Sequence, residues 1–511
     1  MINKKFLRIM ISTAMVVNLS CCQAFAYPHD GIYGGPHRNI NTEALNKFID
    51  KSKNPNSNFY NYEIIPSDSF IPYNYTEVKG KNVNLPYGKD MYLLSQYKEK
   101  NDEMSFTSWI REGGFTADEP IVDMGMRHFY DPTNIKYPYL TDFTPIEQKL
   151  LYASFIFTKN YPNISGKDWA IKGNSLGYSY MAGENNLDKA IRNFSDNNNE
   201  LYGKAWRALG ETMHIIADST VPAHTRNDAH PSLGGDLISK LMGDPYEDFV
   251  GAKGIENYKN GEVDPNLKTS IDNAKSVEEL FDIVAAYTNR NFVSKDSISG
   301  MGINGERFTN SNFRMPYNSP KISGENMKSI YFSSNSEKTL YSTEKTNIYN
   351  VEKRYYVSND YLGVNYLALD ESSYNIQSGT NIIAHPSIDE ICTDSEAKRL
   401  IPAAIYANEK LIELYMPQIK IQISIVSKNP FVLSGGIDCN VNGIKSDSLY
   451  NSTRNAILKV TNKGENSYVP AKLTIGAKGD FSIELTDKIK LADDSEIKLG
   501  IPLGGIIIWS R

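Results

Sequence analysis

Cysteine is scarce in this sequence. Four of the 511 residues are cysteine, and two of them, Cys21 and Cys22, lie close to the N-terminus. The remaining pair, Cys392 and Cys439, is too few to build the disulfide framework on which small secreted domains rely. Because the chain is long enough for an ample core, we expect its stability to come mainly from buried apolar residues.

Excess positive charge is also missing. The formal net charge is −6, and it becomes −9 without the first 26 residues, which hold Lys4, Lys5 and Arg8 and no acidic residue. Charge alone therefore does not predict a basic groove for nucleic acid, and an acidic surface has no general attraction to anionic membranes. We expect a monomer with no stable nucleic-acid partner.

The N-terminus has the pattern of a secretory signal peptide. Basic residues precede a short apolar run over residues 9–19, and an Ala-Phe-Ala sequence ends at Ala26, where small residues suit a signal peptidase. The run is too short to span a membrane. We predict cleavage after Ala26, secretion to the extracellular space, and Tyr27 as the first mature residue. A retained anchor and a lipoprotein are the alternatives.

The pattern of apolar residues changes near residue 417. Before it, apolar residues recur at spacings of three and four, which predicts amphipathic helices, the last over residues 395–415. After it, isoleucine alternates with polar residues, which predicts β-strands. We expect a mostly α-helical domain over residues 27–417 and a small, separate all-β immunoglobulin-like sandwich over residues 418–511. Residues 298–380 lack periodicity and are predicted to be an irregular insert, either a surface elaboration or a lid.

One segment combines histidine and aspartate at informative spacings. His214 and Asp218 are four residues apart, so they share one face of a helix. Pro222 then disturbs that helix and lets His224 turn toward the same side. Imidazole and carboxylate groups that converge in this way are ligands that Zn²⁺ prefers.

Other short motifs occur around this segment in a characteristic order. They are Pro-His37, Gly-Gly-Phe-Thr-Ala-Asp118, Arg-His128-Phe-Tyr-Asp-Pro and Gly243-Asp-Pro-Tyr-Glu247. In this order the chain resembles the zinc-dependent phospholipase C family, which includes clostridial alpha-toxin, over roughly residues 27–417. It resembles the single-strand-specific nucleases of the S1/P1 type more distantly. The resemblance implies the phospholipase C/P1 nuclease-like helical fold.

The resemblance also implies a site with two to three zinc ions. The implied ligands are Asp118, His128, His214 and Asp218 for the first ion, Tyr27, His37 and Asp218 for the second, and His224 and Glu247 for the third. Tyr27 would bind through its free amino group and carbonyl, where the family has tryptophan. Asp118 would also act as the catalytic residue that orients the attacking water, with Glu119 and Asp123 as alternatives to it.

Gly243 departs from the family pattern. The family has a histidine four residues before the glutamate that corresponds to Glu247, and glycine has no side chain to offer. Asp244 is adjacent and is an alternative oxygen ligand, and His230 lies six residues after His224 and is another candidate. A weak or absent third ion is the remaining alternative.

The function that the resemblance implies is a secreted, zinc-dependent phosphodiester hydrolase. We expect a phospholipase C that uses metal-activated water to release phosphorylated headgroup and diacylglycerol from phospholipids at a membrane surface. A nuclease of the S1/P1 type, or another phosphoesterase on the same ions, is the first alternative. A degenerate secreted binding protein without activity is the second. No partner is predicted for the C-terminal domain.

Overall fold

The computed structural model describes residues 35–64, 73–76, 82–84, 90–92, 101–118, 127–140, 164–173, 179–192, 199–228, 230, 243–295, 327–333, 350–370, 387–428, 431–441, 444–445, 448–485, 491 and 494–511. The predicted signal peptide, Tyr27, Glu119 and Asp123 lie outside these ranges. None of the helices described has both the length and the apolar character needed to cross a bilayer.

Ten helices lie within the described ranges. They are α1 (Pro36–Ser52), α2 (Phe106–Thr116), α3 (Gly166–Ile171), α4 (Tyr180–Arg192), α5 (Asn199–Asp218), α6 (Pro222–Thr225), α7 (Pro245–Lys253), α8 (Pro265–Asn273), α9 (Val277–Asn291) and α10 (Glu390–Tyr415). Six of them begin after a serine or aspartate whose side chain accepts a hydrogen bond from an amide of the first turn. Such caps satisfy donors that have no partner inside the helix.

Helix α5 lies at the centre of the helical part. All its residues from 205 to 218 are buried, although they include charged and polar side chains. A helix that is covered on every side must be surrounded by other elements, and α5 packs against α2, α4 and α10. Its last turns therefore place His214 and Asp218 in the interior, where both are 0% exposed.

Helices α2 and α5 cross at two glycines. A β-carbon on Gly113 would lie 2.3 Å from the carbonyl carbon of Gly210, and one on Gly210 would lie 2.4 Å from the carbonyl oxygen of Ile110. The two backbones are therefore in direct contact. This close approach brings Asp118, just after α2, next to His214 on α5.

Alanine at Gly210 is expected to force α2 and α5 apart. We expect Gly210→Ala to lower the free energy of unfolding by about 1–3 kcal/mol, the usual effect of overpacking a core. Urea unfolding followed by circular dichroism measures this loss. Gly436→Ala is the control, because a β-carbon there meets no atom of the described residues within 4 Å. Equal stability of the two variants would contradict the close crossing.

Sixteen strands lie within the described ranges. They are β1 (Tyr62–Ile64), β2 (Tyr73–Thr76), β3 (Asn82–Asn84), β4 (Asp90–Tyr92), β5 (Asn101–Met104), β6 (Met327–Ser333), β7 (Asn350–Asp360), β8 (Gly363–Asp370), β9 (Gln418–Lys428), β10 (Phe431–Val441), β11 (Ile444–Lys445), β12 (Ser452–Asn462), β13 (Glu465–Ile475), β14 (Asp480–Leu485), β15 (Glu496–Leu503) and β16 (Ile506–Trp509). The predicted fold class, a mostly α-helical domain followed by a small all-β sandwich, is therefore wrong, because helices and strands are mixed in this fold.

The C-terminal strands form one curled antiparallel sheet. Its order is β1-β16-β15-β12-β13-β14-β10-β11, and β9 pairs with β10. The first strand, β1, comes from the N-terminal part of the chain and pairs with β16 at Tyr62–Ile508 and Ile64–Ile506. The predicted two-sheet immunoglobulin-like sandwich is therefore wrong.

Helices cover the apolar face of this sheet where a sandwich would have a second sheet. The indole nitrogen of Trp206 on α5 donates to the carbonyl of Gly504, at 2.8 Å. Arg454 on β12 donates to the carbonyl of Ile191 on α4, at 2.6 Å. One hydrophobic cluster accordingly runs from the helices into the sheet.

Part of the region 298–380 is regular. Strands β6, β7 and β8 form a three-stranded antiparallel sheet within it, although its sequence predicted irregular structure. Arg399 on α10 anchors the β7–β8 hairpin, because its guanidinium donates to both carboxylate oxygens of Asp360. Helix α10 itself begins at Glu390, five residues before the predicted start, with Asp389 as its cap.

Candidate metal centre

Three elements bring two histidines and two aspartates together around the end of α5. His37 comes from the first turn of α1, Asp118 follows α2, and His214 and Asp218 occupy the last turns of α5. The ring nitrogen Nδ1 of His214 lies 3.0 Å from the carbonyl oxygen of Gly114. Because a carbonyl only accepts, Nδ1 carries a proton, so Nε2 is the ring nitrogen that can bind a metal once the imidazole is neutral.

Asp218 is the centre of the first group of side chains, which we call the Asp218 cluster (His37, Asp118, His128, His214, Asp218 and His224). Its Oδ1 lies 3.2 Å from His37 Nε2 and 3.5 Å from His224 Nδ1. Its Oδ2 lies 2.8 Å from His128 Nδ1 and 3.3 Å from His214 Nε2. The two oxygens of one carboxylate thus face different pairs of imidazoles.

Asp118 completes the Asp218 cluster on one side. Its Oδ1 lies 3.5 Å from His128 Nδ1 and 3.5 Å from His214 Nε2. Asp118 also lines an open pocket together with His37, whereas Asp218 has no exposed surface. Of the two carboxylates in the Asp218 cluster, Asp118 is therefore the one that lies at the entrance to the cluster.

A second group, the Glu247 cluster (His224, His230 and Glu247), adjoins the first. His224 Nε2 lies 3.2 Å from Glu247 Oε1, and His230 Nε2 lies 3.1 Å from Glu247 Oε2. His230 Nδ1 lies 2.9 Å from the carbonyl of Asp228, so its Nε2 is the nitrogen that faces the cluster. Since His224 Nδ1 faces Asp218, this one imidazole belongs to both groups.

The geometry of both clusters fits bound metal ions. Ligand atoms about 2.0–2.1 Å from a tetrahedral ion lie about 3.3 Å apart, and seven of the nitrogen–oxygen distances here fall between 3.1 and 3.5 Å. Buried atoms that make no hydrogen bond within the described structure include His128 Nδ1 and Nε2, His214 Nε2, both oxygens of Asp218, His224 Nδ1 and Glu247 Oε1. Buried polar atoms are normally satisfied. Once its imidazoles are neutral, each group offers ligand atoms to a single cation, so these groups could hold a metal ion.

The charges of the Asp218 cluster are strongly coupled. Burial would raise the pKa of Asp218, but the surrounding imidazoles, His214 first among them, outweigh burial and hold that pKa well below its usual range. Burial lowers the pKa of His214, but Asp118 and Asp218 outweigh it and raise the pKa to about 9. The pKa of His37 falls to about 4, because it is buried and faces a charged His214.

The Glu247 cluster repeats this pattern. Burial opposes the charge of Glu247, but His230 and His224 lower its pKa to about 2. Burial also opposes the charge of His230, but Glu247 raises its pKa to about 10. In the metal-free protein His230 is thus a cation that stabilises a buried carboxylate.

The structure brings together seven of the side chains singled out from the sequence. His37, Asp118, His128, His214, Asp218, His224 and Glu247 all belong to the two clusters. Tyr27, predicted to be a ligand through its amino group, lies outside the described residues. Asp244 is buried but its Oδ1 caps α7 by accepting from the amide of Glu247, at 2.9 Å. His230, and not Asp244, forms a group of possible metal ligands with His224 and Glu247.

Substitutions at His230 and at Asp244 should show which of the two residues binds metal together with Glu247. We expect His230→Gln to lose the metal of the Glu247 cluster, so that the metal content measured by atomic emission falls by one ion per chain. Asp244→Asn should keep its metal, because asparagine caps a helix about as well as aspartate. The reverse pattern would identify Asp244 as the ligand.

The sequence did not assign a role to Phe129. Its ring packs against the rings of His224, with centroids 4.7 Å apart, and of His230, with centroids 5.5 Å apart. Phe129 therefore holds two members of the Glu247 cluster in place. The only signal for this contact was the neighbouring His128 in the same motif.

The chain was compared with family models, with curated proteins and with solved structures. No family model matches it, and neither a curated protein nor a solved structure matches it.

Proposed function

We propose that this chain is a zinc-dependent phosphodiester hydrolase, and in particular a secreted phospholipase C. The observation that carries the proposal is the position of Asp218, whose two carboxylate oxygens face separate pairs of imidazoles at 2.8–3.5 Å. A carboxylate in that position suits two neighbouring cations better than one. Paired cations are a common solution for cleaving phosphodiesters.

The donor atoms favour zinc at these sites. Both clusters offer imidazole nitrogen and carboxylate oxygen, and neither contains cysteine. Structural zinc sites usually have cysteine and four protein ligands, whereas catalytic sites have three protein ligands and one open position. The Glu247 cluster offers three side chains, which leaves one position for water or substrate.

Asp118 is the residue that we assign to the chemistry. When bound, zinc lowers the pKa of water and neutralises phosphate oxygens. Asp118 lies at the entrance of the site and its carboxylate can accept a hydrogen bond from an attacking water and orient it. Asp218, which is fully buried, holds the imidazoles instead.

The choice of phospholipid rests on the motif resemblance and on the predicted secretion. The chain's net charge of −6 argues against polyanionic nucleic acid as the preferred substrate. Phosphatidylcholine is therefore the first substrate to test, and single-stranded DNA is the second.

The test is release of phosphocholine from phosphatidylcholine vesicles by the zinc-loaded protein. We expect release that a chelator abolishes and added zinc restores. Asp118→Asn should lower turnover by a factor of about 10²–10⁴, a much larger loss than the loss of zinc measured on the same samples. Cleavage of single-stranded DNA without lipid cleavage would move the proposal to a nuclease. A zinc-loaded protein inactive on both substrates would contradict the proposed hydrolase.

A further inference from the structure

We propose that Arg38 binds a non-bridging oxygen of the substrate's phosphate group at the entrance of the metal centre. This inference rests on the proposed function, since it names the residue that would recognise the phosphate. Arg38 belongs to neither cluster, and the sequence motifs assign it no role.

Arg38 lies at the entrance to the Asp218 cluster. It follows His37 directly in the first turn of α1. The pocket that opens there is lined by Gly35, Pro36, His37, Arg38, Gly114, Phe115 and Asp118. One guanidinium, one imidazole and one carboxylate of the candidate centre thus share a single opening.

The surroundings hold the guanidinium of Arg38 in place. Its central carbon lies 4.4 Å from the centroid of the Phe115 ring, in a cation–π contact. Its Nη2 donates to Glu112 Oε2 at 2.7 Å. Gly114 packs on the same backbone, because a β-carbon there would lie 2.8 Å from the amide nitrogen of Arg38. A side chain fixed in this way loses little further entropy when it binds a ligand.

Arg38 has donors left for a ligand. Arginine carries five N–H donors in a planar fork, and Glu112 is the carboxylate partner found for Arg38 within the described residues. Its Nε is buried and makes no hydrogen bond there. A buried donor without a partner is costly unless something else satisfies it.

The chemistry of this arrangement matches a phosphate group. The guanidinium fork matches phosphate oxygens, and charge-assisted hydrogen bonds of this kind are about twice as strong as neutral ones. A phosphate with one oxygen directed to the metal clusters still has another for Arg38. A carboxylate has only two oxygens, so it satisfies this site less completely.

The test measures binding of inorganic phosphate to the zinc-loaded protein by isothermal titration calorimetry, with zinc content determined on the same samples. We expect Arg38→Gln to weaken phosphate binding about 10–100-fold, the usual effect of losing a hydrogen bond to a charged group, and to leave zinc content unchanged. Arg38→Lys, which keeps the charge but loses the fork, should give an intermediate loss and covers the case in which the glutamine variant does not fold.

Arg111→Gln is the matched control. Arg111 approaches the same Glu112 carboxylate, at 3.9 Å, but its side chain is 52% exposed and it does not line the pocket. Phosphate binding in this variant should stay within about twofold of the wild type. Unchanged binding in Arg38→Gln, equal losses in both arginine variants, absence of phosphate binding in the wild type, or loss of zinc in Arg38→Gln would each overturn the inference.

Because phosphate binding is measured without turnover, the hydrolase and the role of Arg38 can be contradicted independently of each other. Arg38-dependent phosphate binding by a protein that cleaves neither lipid nor DNA would contradict only the hydrolase. Hydrolysis by a protein whose phosphate binding ignores Arg38 would contradict only the role of Arg38. Acetate in place of phosphate shows whether the site selects phosphate or any anion.

Discussion

Replacement of Asp218 by asparagine is expected to remove metal from the Asp218 cluster and to abolish hydrolysis. The substitution keeps the shape of the side chain but removes the one negative charge that faces four imidazoles. Two opposite unit charges about 4 Å apart in an effective dielectric of about 20 attract each other by about 4 kcal/mol. The affinity for metal should therefore fall about 10³-fold. Zinc titration against a fluorescent chelator measures the change.

Asp244→Asn is the control for this prediction. Asp244 is also buried, at 4% exposure, and lies in neither cluster. It should keep the wild-type zinc affinity. An Asp218→Asn protein that folds and binds zinc as tightly as the wild type would contradict the central position of Asp218.

Zinc binding at pH 7 is expected to release about two protons. The pKa of His214 is raised to about 9 and that of His230 to about 10 in the metal-free protein. Both imidazoles are therefore protonated at pH 7, and each must lose its proton to become a ligand. Zinc affinity should rise between pH 7 and 9, about tenfold per pH unit for each proton released. Calorimetry in buffers with different ionisation enthalpies counts the protons.

The same two histidines predict the opposite trend for the stability of the metal-free protein. A pKa that is raised by folding stabilises the folded state fully below the unfolded value of about 6.5. That contribution is lost as the pH rises through about 9 for His214 and about 10 for His230. Alkaline pH should therefore lower the free energy of unfolding of the metal-free protein, while it raises the affinity for zinc. Zinc binding without proton release at pH 7 would contradict both trends.

Much of the candidate site could be predicted from the sequence because its ligands lie in short motifs. The spacing of His214 and Asp218 fixes them on one helix face, and Pro222 begins the short α6 that carries His224. Sequence spacing could not decide whether Asp244 or His230 is the ligand that accompanies Glu247. His230 is seventeen residues before Glu247, so only the tertiary structure could favour it over Asp244.

The packing of the helices and strands against each other was harder to predict than the individual helices and strands. The alternating isoleucines after residue 417 do form a strand, β9, whose Ile419 and Ile421 are buried. Alternation tells which face of a strand is buried but not what covers it. The elements that pack on the buried face of this sheet are helices α4 and α5, and not a second sheet. Strand β1 has only three residues, too few for a periodic signal, yet it extends the C-terminal sheet.

The number of zinc ions per chain is the most direct test of two adjoining metal sites. Native mass spectrometry of the zinc-loaded protein after dialysis gives this number. At least two ions should remain, one fewer in His230→Gln, and a chelator should remove them. One ion or none in the wild-type protein would contradict the two-cluster site and the hydrolase that depends on it.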